Sequence, residues 1–307
     1  MSHDTHVSTH DAAQDDRNDD IRIYVNGEIV HRDDAKVSVY DSGFMLGDGV
    51  WEGLRLYDGR IPFLREHLDR LYEAAIFIDL DIGKSREELT QAIRDTLAAN
   101  DMVTDVHIRL MVTRGRKRKP FQHPHLSIYG PTIVIIAEHS KPDDSVIERG
   151  IRLASVPHHR GLPLTQDAKL NSHSKLNCII PLTHAVRQGA DEALMLDPFG
   201  FVNTTNACNF FIVRKGEVWT STGDYCMNGI TRQTVIDLCR ANDLPVFERN
   251  FSLVDTYSCD EAFLTGTFGA QTPVFEIDGR PIGNRTAGPL FHRIRALYKA
   301  EIAKGAP

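Results

Sequence analysis

The pattern of apolar and polar positions predicts helices and strands that follow one another along most of the chain. Residues 63–78 repeat apolar side chains every three or four positions, which predicts an amphipathic helix, and residues 85–100 repeat this pattern after a capping box, S-x-x-E. Residues 21–30 alternate around Asn26-Gly27, a dipeptide that tolerates positive φ and predicts a β-hairpin. Further strands are predicted at 106–112, 132–138, 150–156, 192–196, 201–203, 210–213, 217–220 and 261–265, and further helices end near Gln188 or begin near Thr231, Ser252 and Gly288. We therefore predict a mixed α/β fold.

Two polar stretches predict how the chain is divided. Beyond Met1, residues 1–20 contain a single large apolar residue, Val7, and predict a disordered tail. Residues 141–146 are mostly polar and contain a proline, which is typical of a linker. The prediction is a small N-terminal α/β domain at 21–140 and a larger C-terminal one at 147–307.

Glycines are concentrated in residues 42–57, where they alternate with large apolar side chains. Because glycine has no Cβ, this density predicts backbone that lies against another surface. The stretch has neither the GxGxxG spacing nor the GK[ST] ending of a nucleotide-binding loop.

Composition and charge limit the classes of partner. The chain has 307 residues, 41% of them hydrophobic, and a net charge of −7, which argues against nucleic acid as the main partner. No stretch approaches the ~18 apolar residues of a membrane span, and the first residues lack an apolar signal core. The five cysteines are odd in number and form no C-x-x-C pair, which disfavours a disulfide framework or a zinc site. We expect a cytoplasmic protein without a structural metal.

Residues 166–177, QDAKLNSHSKLN, carry the first candidate chemistry, because they hold Lys169 and Lys175 among small polar residues. A lysine amine that is shielded from solvent loses its proton more easily and can attack a carbonyl carbon. The alternative is two solvated lysines on a loop, which is the more common environment of lysine.

Two further stretches are typical of phosphate binding. Residues 229–232, GITR, precede an apolar helical pattern, and residues 266–270, GTFGA, follow a predicted strand. We expect both to present main-chain N–H groups and a threonine hydroxyl at the start of a helix, where phosphate binds well. A reactive lysine together with two phosphate sites indicates pyridoxal 5'-phosphate.

Four motifs in order resemble those of the class IV pyridoxal-phosphate aminotransferases: VWEGLRLYDGRIPFLREHLDRLYEAA, GADEALMLDPFGFV, NGITR and GTFGAQTPV. This family includes branched-chain and D-amino-acid aminotransferases, (R)-selective amine transaminases and aminodeoxychorismate lyase. The resemblance extends from about Ile21 to Gly283, and its first motif is closest to the branched-chain subgroup. It implies a two-domain fold type IV architecture of the α/β (α+β) class, with the active site in the inter-domain cleft of a homodimer.

The resemblance also implies roles for individual residues. The family's Schiff-base lysine lies about 18–20 residues before the glycine of the GADEAL motif. Lys169 lies 20 positions before Gly189 and Lys175 only 14, so Lys169 is the expected catalytic residue. The expected cofactor ligands are Arg70, Thr204, Ile230, Thr231 and Thr267, and the expected substrate-binding residues are His107, Arg109, Phe268 and Gly269.

The sequence departs from the family at Thr204, where the family has a glutamate that keeps the pyridine nitrogen protonated. A shift of one residue would place Asn203 there, with the same consequence. A neutral side chain holds a pyridinium less strongly than a carboxylate does, so the ring withdraws electrons less strongly. A second departure is SHSKLN, which replaces the family's usual residues after the lysine.

The activity implied by the resemblance is the transfer of an amino group from a branched-chain-like amino acid or an amine to a 2-oxo acid. The alternatives are a lyase that resembles aminodeoxychorismate lyase, a D-amino-acid or (R)-amine transaminase, and a protein that binds pyridoxal phosphate without turnover.

Overall fold

A computed structural model describes residues 8–10 and 12–304 of the chain, which form two compact units. The N-terminal unit comprises Ala12–Lys141 and Leu170–Lys175, and the C-terminal unit comprises residues 8–10, Pro142–Lys169 and Leu176–Lys304. The six residues Leu170–Lys175 belong to the N-terminal unit although they follow the predicted linker, and the boundary before them falls directly after Lys169.

The N-terminal unit is built on a five-stranded antiparallel sheet of order β2-β1-β5-β4-β3. Its strands are β1 (Arg22–Val25), β2 (Glu28–His31), β3 (Gly49–Leu56), β4 (Val106–Thr113) and β5 (Thr132–His139). Its helices are α1 (Ser42–Leu46), α2 (Leu64–Phe77) and α3 (Arg86–Ala98), with 3-10 turns at Asp16–Asp20, Arg32–Asp34 and Pro124–Leu126. The predicted hairpin is confirmed, with positive φ at Asn26 and Gly27, and so is the capping box of Ser85 and Glu88.

Side-chain alternation in β4 separates two faces of this sheet. Ile108 and Leu110 are fully buried in a core that also contains Leu68 and Leu71 of α2, whereas Arg109 and the other odd-numbered residues at 107 and 111 are only partly buried. A period of two is the expected behaviour of a strand with one buried face. The strand therefore holds His107 and Arg109 on the face turned away from the helical core.

The glycine-rich stretch forms α1 and the strand β3, which the sequence did not predict as a strand. A Cβ at Gly49 would lie 2.6 Å from the carbonyl oxygen of Val112 in β4. The prediction of backbone lying against another surface is confirmed, and the surface is the neighbouring strand.

Part of the segment predicted as a disordered tail is folded. Residues 1–7 and 11 lie outside the described residues, but Asp16–Asp20 form a 3-10 helix. Within it, Asn18 Nδ2 donates to the His139 carbonyl, and His139 N–H donates to Asn18 Oδ1, both at 2.8 Å. A polar side chain that binds the end of β5 orders this helix, and low hydrophobicity gives no sign of such a contact.

The C-terminal unit contains a nine-stranded sheet with the path β11-β10-β9-β12-β13-β6-β7-β8, to which β14 adds beside β13. Its strands are β6 (Ile151–Ser155), β7 (Glu192–Leu196), β8 (Val202–Thr205), β9 (Asn209–Arg214), β10 (Glu217–Thr220), β11 (Val246–Glu248), β12 (Glu261–Gly266), β13 (Ala270–Ile277) and β14 (Arg280–Pro281). Its helices are α4 (Val146–Arg149), α5 (Leu176–Arg187), α6 (Ile230–Ala241), α7 (Leu253–Tyr257) and α8 (Pro289–Ile302).

The prediction of a helix start at GTFGA is wrong. Strands β12 and β13 form an antiparallel hairpin that pairs Gly266 with Ala270, so Thr267, Phe268 and Gly269 are the three residues of its loop. Ala270 has a φ of 56°, the left-handed conformation that lets such a short loop reverse the chain. Strand β13 was not predicted, because the sequence signal of this turn resembles that of a helix cap.

Aromatic side chains tie the sheet of the C-terminal unit to its last helix. The rings of Phe211 and Phe263 stack with centroids 5.0 Å apart, and Phe291 of α8 meets Phe263 edge-on at 5.9 Å.

Within residues 8–10 and 12–304, no helix is long and apolar enough to cross a membrane.

Candidate active site

The residues predicted for the site are divided between the two units, and each set is described within its own unit. The N-terminal unit holds Arg70, His107 and Arg109. The C-terminal unit holds Lys169, Thr204, Ile230, Thr231, Thr267, Phe268 and Gly269.

Arg70 is held in the N-terminal unit by a buried carboxylate that the sequence analysis did not identify. Helix α2 places His67 and Arg70 one turn apart, and both reach Glu52 on the core-facing side of β3. Arg70 Nε and Nη2 each donate to a different oxygen of Glu52 at 2.7 Å, and His67 Nδ1 lies 2.7 Å from Glu52 Oε2. This bidentate pair fixes the plane of the Arg70 guanidinium.

The charge of Glu52 is stabilised by its partners. Burial raises the pKa of this carboxyl, but the Arg70 charge and the hydrogen bonds from Arg70 and His67 outweigh burial, so the pKa is lowered overall. Glu52 is therefore ionised at neutral pH. The signal that could have found it is an acidic residue at a core-facing strand position, 18 residues before an arginine on a buried helix face.

Arg109 lies on the other face of the sheet, over Trp51. Its guanidinium carbon is 3.9 Å from the centre of the Trp51 ring, and burial lowers the pKa of Arg109. Within the described residues, Arg109 forms no ion pair with a carboxylate. A partly buried guanidinium stacked on an aromatic ring is suited to binding the carboxylate of a small molecule.

Residues 170–175 extend this face by pairing with β3. Trp51 N–H donates to the Asn171 carbonyl at 3.0 Å, Asn171 Nδ2 donates back to the Trp51 carbonyl at 2.7 Å, and His173 N–H donates to the Gly49 carbonyl at 2.9 Å. Lys175 Nζ donates to Asn171 Oδ1 at 3.0 Å and lies 5.5 Å from the centre of the Trp51 ring.

Two cations thus lie near one tryptophan, and their field reaches His173. Burial lowers the pKa of His173, and the charges of Arg109 and Lys175 lower it further, which outweighs the hydrogen bond to the Val50 carbonyl. His173 is therefore neutral at pH 7. The positive charge of this face belongs to Arg109 and Lys175, and it favours an anionic ligand.

The two candidate lysines have different surroundings. Lys169 is exposed, and its main-chain N–H donates to Asp167 Oδ1 at 2.9 Å. Lys175 is half-buried, with its amine already bonded to Asn171. The amine of Lys169 is thus the more accessible of the two, but it is not shielded from solvent within its own unit as the sequence analysis expected, whereas that of Lys175 is partly shielded and has a structural partner.

The predicted helix start at GITR is confirmed in the C-terminal unit. Gly229 is the N-cap of α6, with Ile230 and Thr231 in the first turn, and no side chain caps the helix. The first N–H groups of a helix have no partner within it, so this turn has donors to offer to an anion. A Cβ at Gly229 would lie too close to Asn209 Oδ1, so a larger residue here would force the Asn209 side chain to move.

Polar side chains connect this helix start with the 267–269 loop. Asn209, Thr265 and Gln271 lie opposite one another on β9, β12 and β13, and directly opposed residues share a face of the sheet. Asn209 Nδ2 donates to the Met227 carbonyl at 2.9 Å, just before α6. Within the described residues, the Thr265 hydroxyl and both amide atoms of the fully buried Gln271 have no hydrogen-bond partner. Buried polar atoms are normally paired with protein, ordered water or a ligand, so these atoms are available to a bound molecule.

Thr204 is buried, and its hydroxyl donates to the Cys208 carbonyl at 2.7 Å. The hydroxyl proton of Thr204 is therefore used in this hydrogen bond. Only the lone pairs of the hydroxyl oxygen remain, and they can accept a hydrogen bond from a ligand. The Asn203 Oδ1 atom, the alternative at this position, is buried without a partner among the described residues. The nearby Glu192 bonds to Thr205, which alternation in β8 places on the opposite face from Thr204, so it does not replace the expected glutamate.

Comparison with known proteins agrees with this architecture. The family described as "Amino-transferase class IV" matches residues 49–277. The "Branched-chain-amino-acid aminotransferase-like protein 2" of Arabidopsis thaliana is 42% identical over 276 residues, covering 90% of this chain and 49% of that protein. This chain therefore spans about half the length of that curated relative.

A second relative and a solved structure match over nearly their full length. The "Putative branched-chain-amino-acid aminotransferase" of Methanocaldococcus jannaschii is 39% identical over 281 residues, covering 91% of this chain and 96% of that protein. The crystal structure of an aminotransferase from Brucella abortus, bound to the cofactor pyridoxal phosphate, matches with a TM-score of 0.81 at 26% identity, covering 92% of this chain and 99% of that one. The predicted fold type IV α/β architecture is confirmed.

Proposed function

This chain belongs to the amino-transferase class IV family, and we propose that it is a pyridoxal 5'-phosphate-dependent aminotransferase. Its reaction would move an amino group from a branched-chain-like amino acid or an amine to a 2-oxo acid. The observation that carries the proposal is the uncapped start of α6, which is tied through Asn209 to the unpaired polar atoms of Thr265 and Gln271. The names of the relatives support the same activity.

The residues present fit the phosphate of the cofactor. In the C-terminal unit, the N–H groups of Ile230 and Thr231 and the hydroxyl of Thr267 are the proposed ligands. In the N-terminal unit the proposed ligand is Arg70, whose guanidinium is oriented by Glu52. When bound, pyridoxal phosphate supplies an electron sink that eases removal of a proton from the substrate Cα.

Lys169 is the proposed catalytic residue. Its exposed amine would attach the cofactor and, once displaced by the amino substrate, would move the proton at the substrate Cα. Lys175 is less suited to this role because its amine is bonded to Asn171 beside Trp51.

The substrate carboxylate would bind in part through Arg109, which has no anionic partner among the described residues and is pre-oriented by Trp51. His107 shares its face of β4, and the loop residues Phe268 and Gly269 are the proposed contacts in the C-terminal unit. Lys175 adds a second positive charge near Trp51.

A panel of amino donors tests the proposed reaction. The holoenzyme is mixed in turn with L-leucine, D-alanine and an (R)-amine, each with 2-oxoglutarate and with pyruvate, and the new amino acid is quantified. We expect L-leucine to give the fastest turnover. Preferred use of D-alanine or the (R)-amine would reassign the substrate, and pyruvate release from aminodeoxychorismate without an acceptor would contradict the transaminase assignment.

Thr204 is proposed to limit the rate of proton removal at the substrate Cα, because a neutral oxygen stabilises a protonated ring nitrogen less than a carboxylate does. We expect Thr204→Glu to raise the single-turnover rate of this step by roughly 10-fold or more. Thr204→Gln is the control, since it has the same size without the charge. Equal rates in the two variants would show that charge at this position has no influence.

A homodimer and a cytoplasmic location are proposed on separate grounds. The N-terminal unit exposes an apolar run that a second subunit would cover, consisting of Val37, Val39, Tyr40, Phe44 and Leu46. Light scattering that gives the mass of a monomer would overturn the dimer.

All five cysteines are free, which fits a reducing compartment.

A further inference from the structure

Residues 8–10, which we call the N-terminal strap, are bound within the C-terminal unit. Thr9 is only 5% exposed, although the surrounding sequence is polar. Its main-chain N–H donates to Glu192 Oε1 at 3.3 Å, and its hydroxyl donates to the same oxygen. The strap is therefore attached to the first residue of β7, 183 positions along the chain.

Glu192 is a buried carboxylate that depends on the strap for hydrogen bonds. It is 2% exposed, and within the described residues it forms no ion pair with a cation. Its donors are the N–H and hydroxyl of Thr9 and the hydroxyl of Thr205, which lies 3.2 Å from Oε2 and also reaches the Cys208 carbonyl. A buried carboxylate without donors is costly, so Glu192 favours the docked strap.

The docked strap contacts the 267–269 loop and the loop that follows β8, the strand that carries Thr204. The Thr9 carbonyl oxygen lies 3.1 Å from the point that a Cβ on Gly269 would occupy, and the His10 ring stacks on Phe268 with centroids 5.8 Å apart at 22°. Cys208, in the loop after β8, donates its thiol to the Thr9 hydroxyl at 3.6 Å. The strap therefore packs directly against the 267–269 loop.

We propose that Thr9 and Glu192 are positioning residues, which hold the 267–269 loop in the conformation that binds the substrate. This inference rests on the proposed function, in which Phe268 and Gly269 contact the substrate. In this proposal Thr9 and Glu192 act through the loop and not on the reacting atoms themselves. Because the strap and the substrate would favour the same conformation of the loop, their binding is coupled, and each strengthens the other by the same factor.

Alkylation of Cys208 reports strap docking without any need for turnover. Burial raises the pKa of the Cys208 thiol, so the thiol reacts slowly while the strap covers it. N-ethylmaleimide labelling of the full-length holoenzyme, located by peptide mass spectrometry, gives its rate. We expect labelling to be about 5-fold faster or more in Thr9→Val, since the hydroxyl that donates to Glu192 and accepts from the Cys208 thiol is lost, and faster still after deletion of residues 1–10.

Two further measurements test the functional consequence. One is the KM for the oxo acid, and the other is the effect of the oxo acid on the rate of Cys208 labelling. We expect 4-methyl-2-oxopentanoate to slow Cys208 labelling in the unmodified protein and to do so less in Thr9→Val. The KM should rise by about 5-fold in Thr9→Val with kcat nearly unchanged, and Thr9→Ser should restore both values. Thr183→Val is the control, because it removes an exposed threonine hydroxyl that, within residues 8–10 and 12–304, bonds only to the Ile179 carbonyl of α5.

The outcomes separate the inference from the proposed function. Unchanged Cys208 labelling in the deletion variant, or faster labelling with no change in KM and no loss of oxo acid protection, would overturn the positioning role. An unmodified protein that transaminates no donor but is protected at Cys208 by the oxo acid would overturn the proposed function and support the coupling.

Discussion

The variant Lys169→Ala is expected to lose covalent attachment of pyridoxal phosphate and to transaminate at least about 10³-fold more slowly than the unmodified protein. The physical reason is that, in the proposal, one amine both attaches the cofactor and moves the substrate proton, so its removal abolishes both functions. The attachment is measured by borohydride reduction followed by peptide mass spectrometry, and the rate by steady-state kinetics.

Lys175→Ala is the matched control for this experiment, because it removes the other lysine of the same stretch. It should retain covalent attachment of the cofactor, since the Lys175 amine bonds to Asn171 and lies against Trp51. We expect a higher KM for the oxo acid, because one of the two positive charges near Trp51 is lost. A reduced cofactor found on Lys175 in the unmodified protein would exchange the roles of the two lysines.

Glu52→Gln is expected to lower the free energy of unfolding by about 3–5 kcal/mol. The reason is that the largely buried guanidinium of Arg70 loses its anionic partner. The Arg70–Glu52 pair is bidentate, and the Glu52 side chain is 1% exposed. Urea unfolding followed by circular dichroism measures the change. A loss of less than about 1 kcal/mol would show that Arg70 finds other partners easily.

The control for Glu52 is Asp69→Asn in the same unit. Asp69 pairs with Arg86 at 2.7 Å, but both side chains are more than 40% exposed. Exposed pairs contribute about 0–1 kcal/mol, so this variant should unfold close to the unmodified protein. The difference between the two variants isolates the effect of burial.

Protonation of Glu52 at acidic pH should abolish its contribution to the free energy of unfolding. The folded-state pKa of Glu52 is lowered, so its stabilisation is fully present above the unfolded-state value of about 4.3 and is lost as the pH falls through the folded-state pKa. Unfolding free energies of the unmodified protein and of Glu52→Gln should therefore begin to approach each other as the pH falls below the unfolded-state value of about 4.3, and should converge only below the lowered folded-state pKa. A gap that stays constant down to about pH 3 would contradict this account.

Local patterns in the sequence were sufficient for most helices and strands. The capping box at Ser85, the hairpin at Asn26-Gly27 and the alternation in 106–112 all appear in the structure as predicted. In the structure the same alternation puts His107 and Arg109 on one face of β4. These features depend on neighbours within a few residues, which the sequence contains in full.

The GTFGA stretch shows where local information fails. A glycine and a threonine after a strand are compatible with a helix cap and with a hairpin loop, and only the pairing of β12 with β13 decides between them. The loop still offers main-chain N–H groups, but without the aligned dipoles of a helix.

The sequence by itself indicated the family, two candidate lysines, the helix start at GITR and a neutral residue, Thr204 or Asn203, at the position where the resemblance implies a glutamate. Only the tertiary structure paired Glu52 with Arg70, placed Lys175 against Trp51 and brought Thr9 to Glu192. The physical reason is that these contacts join residues far apart in the chain, up to 183 positions, whose proximity depends on the packing of whole sheets. Local periodicity specifies which face a side chain occupies, and the fold specifies what it meets there.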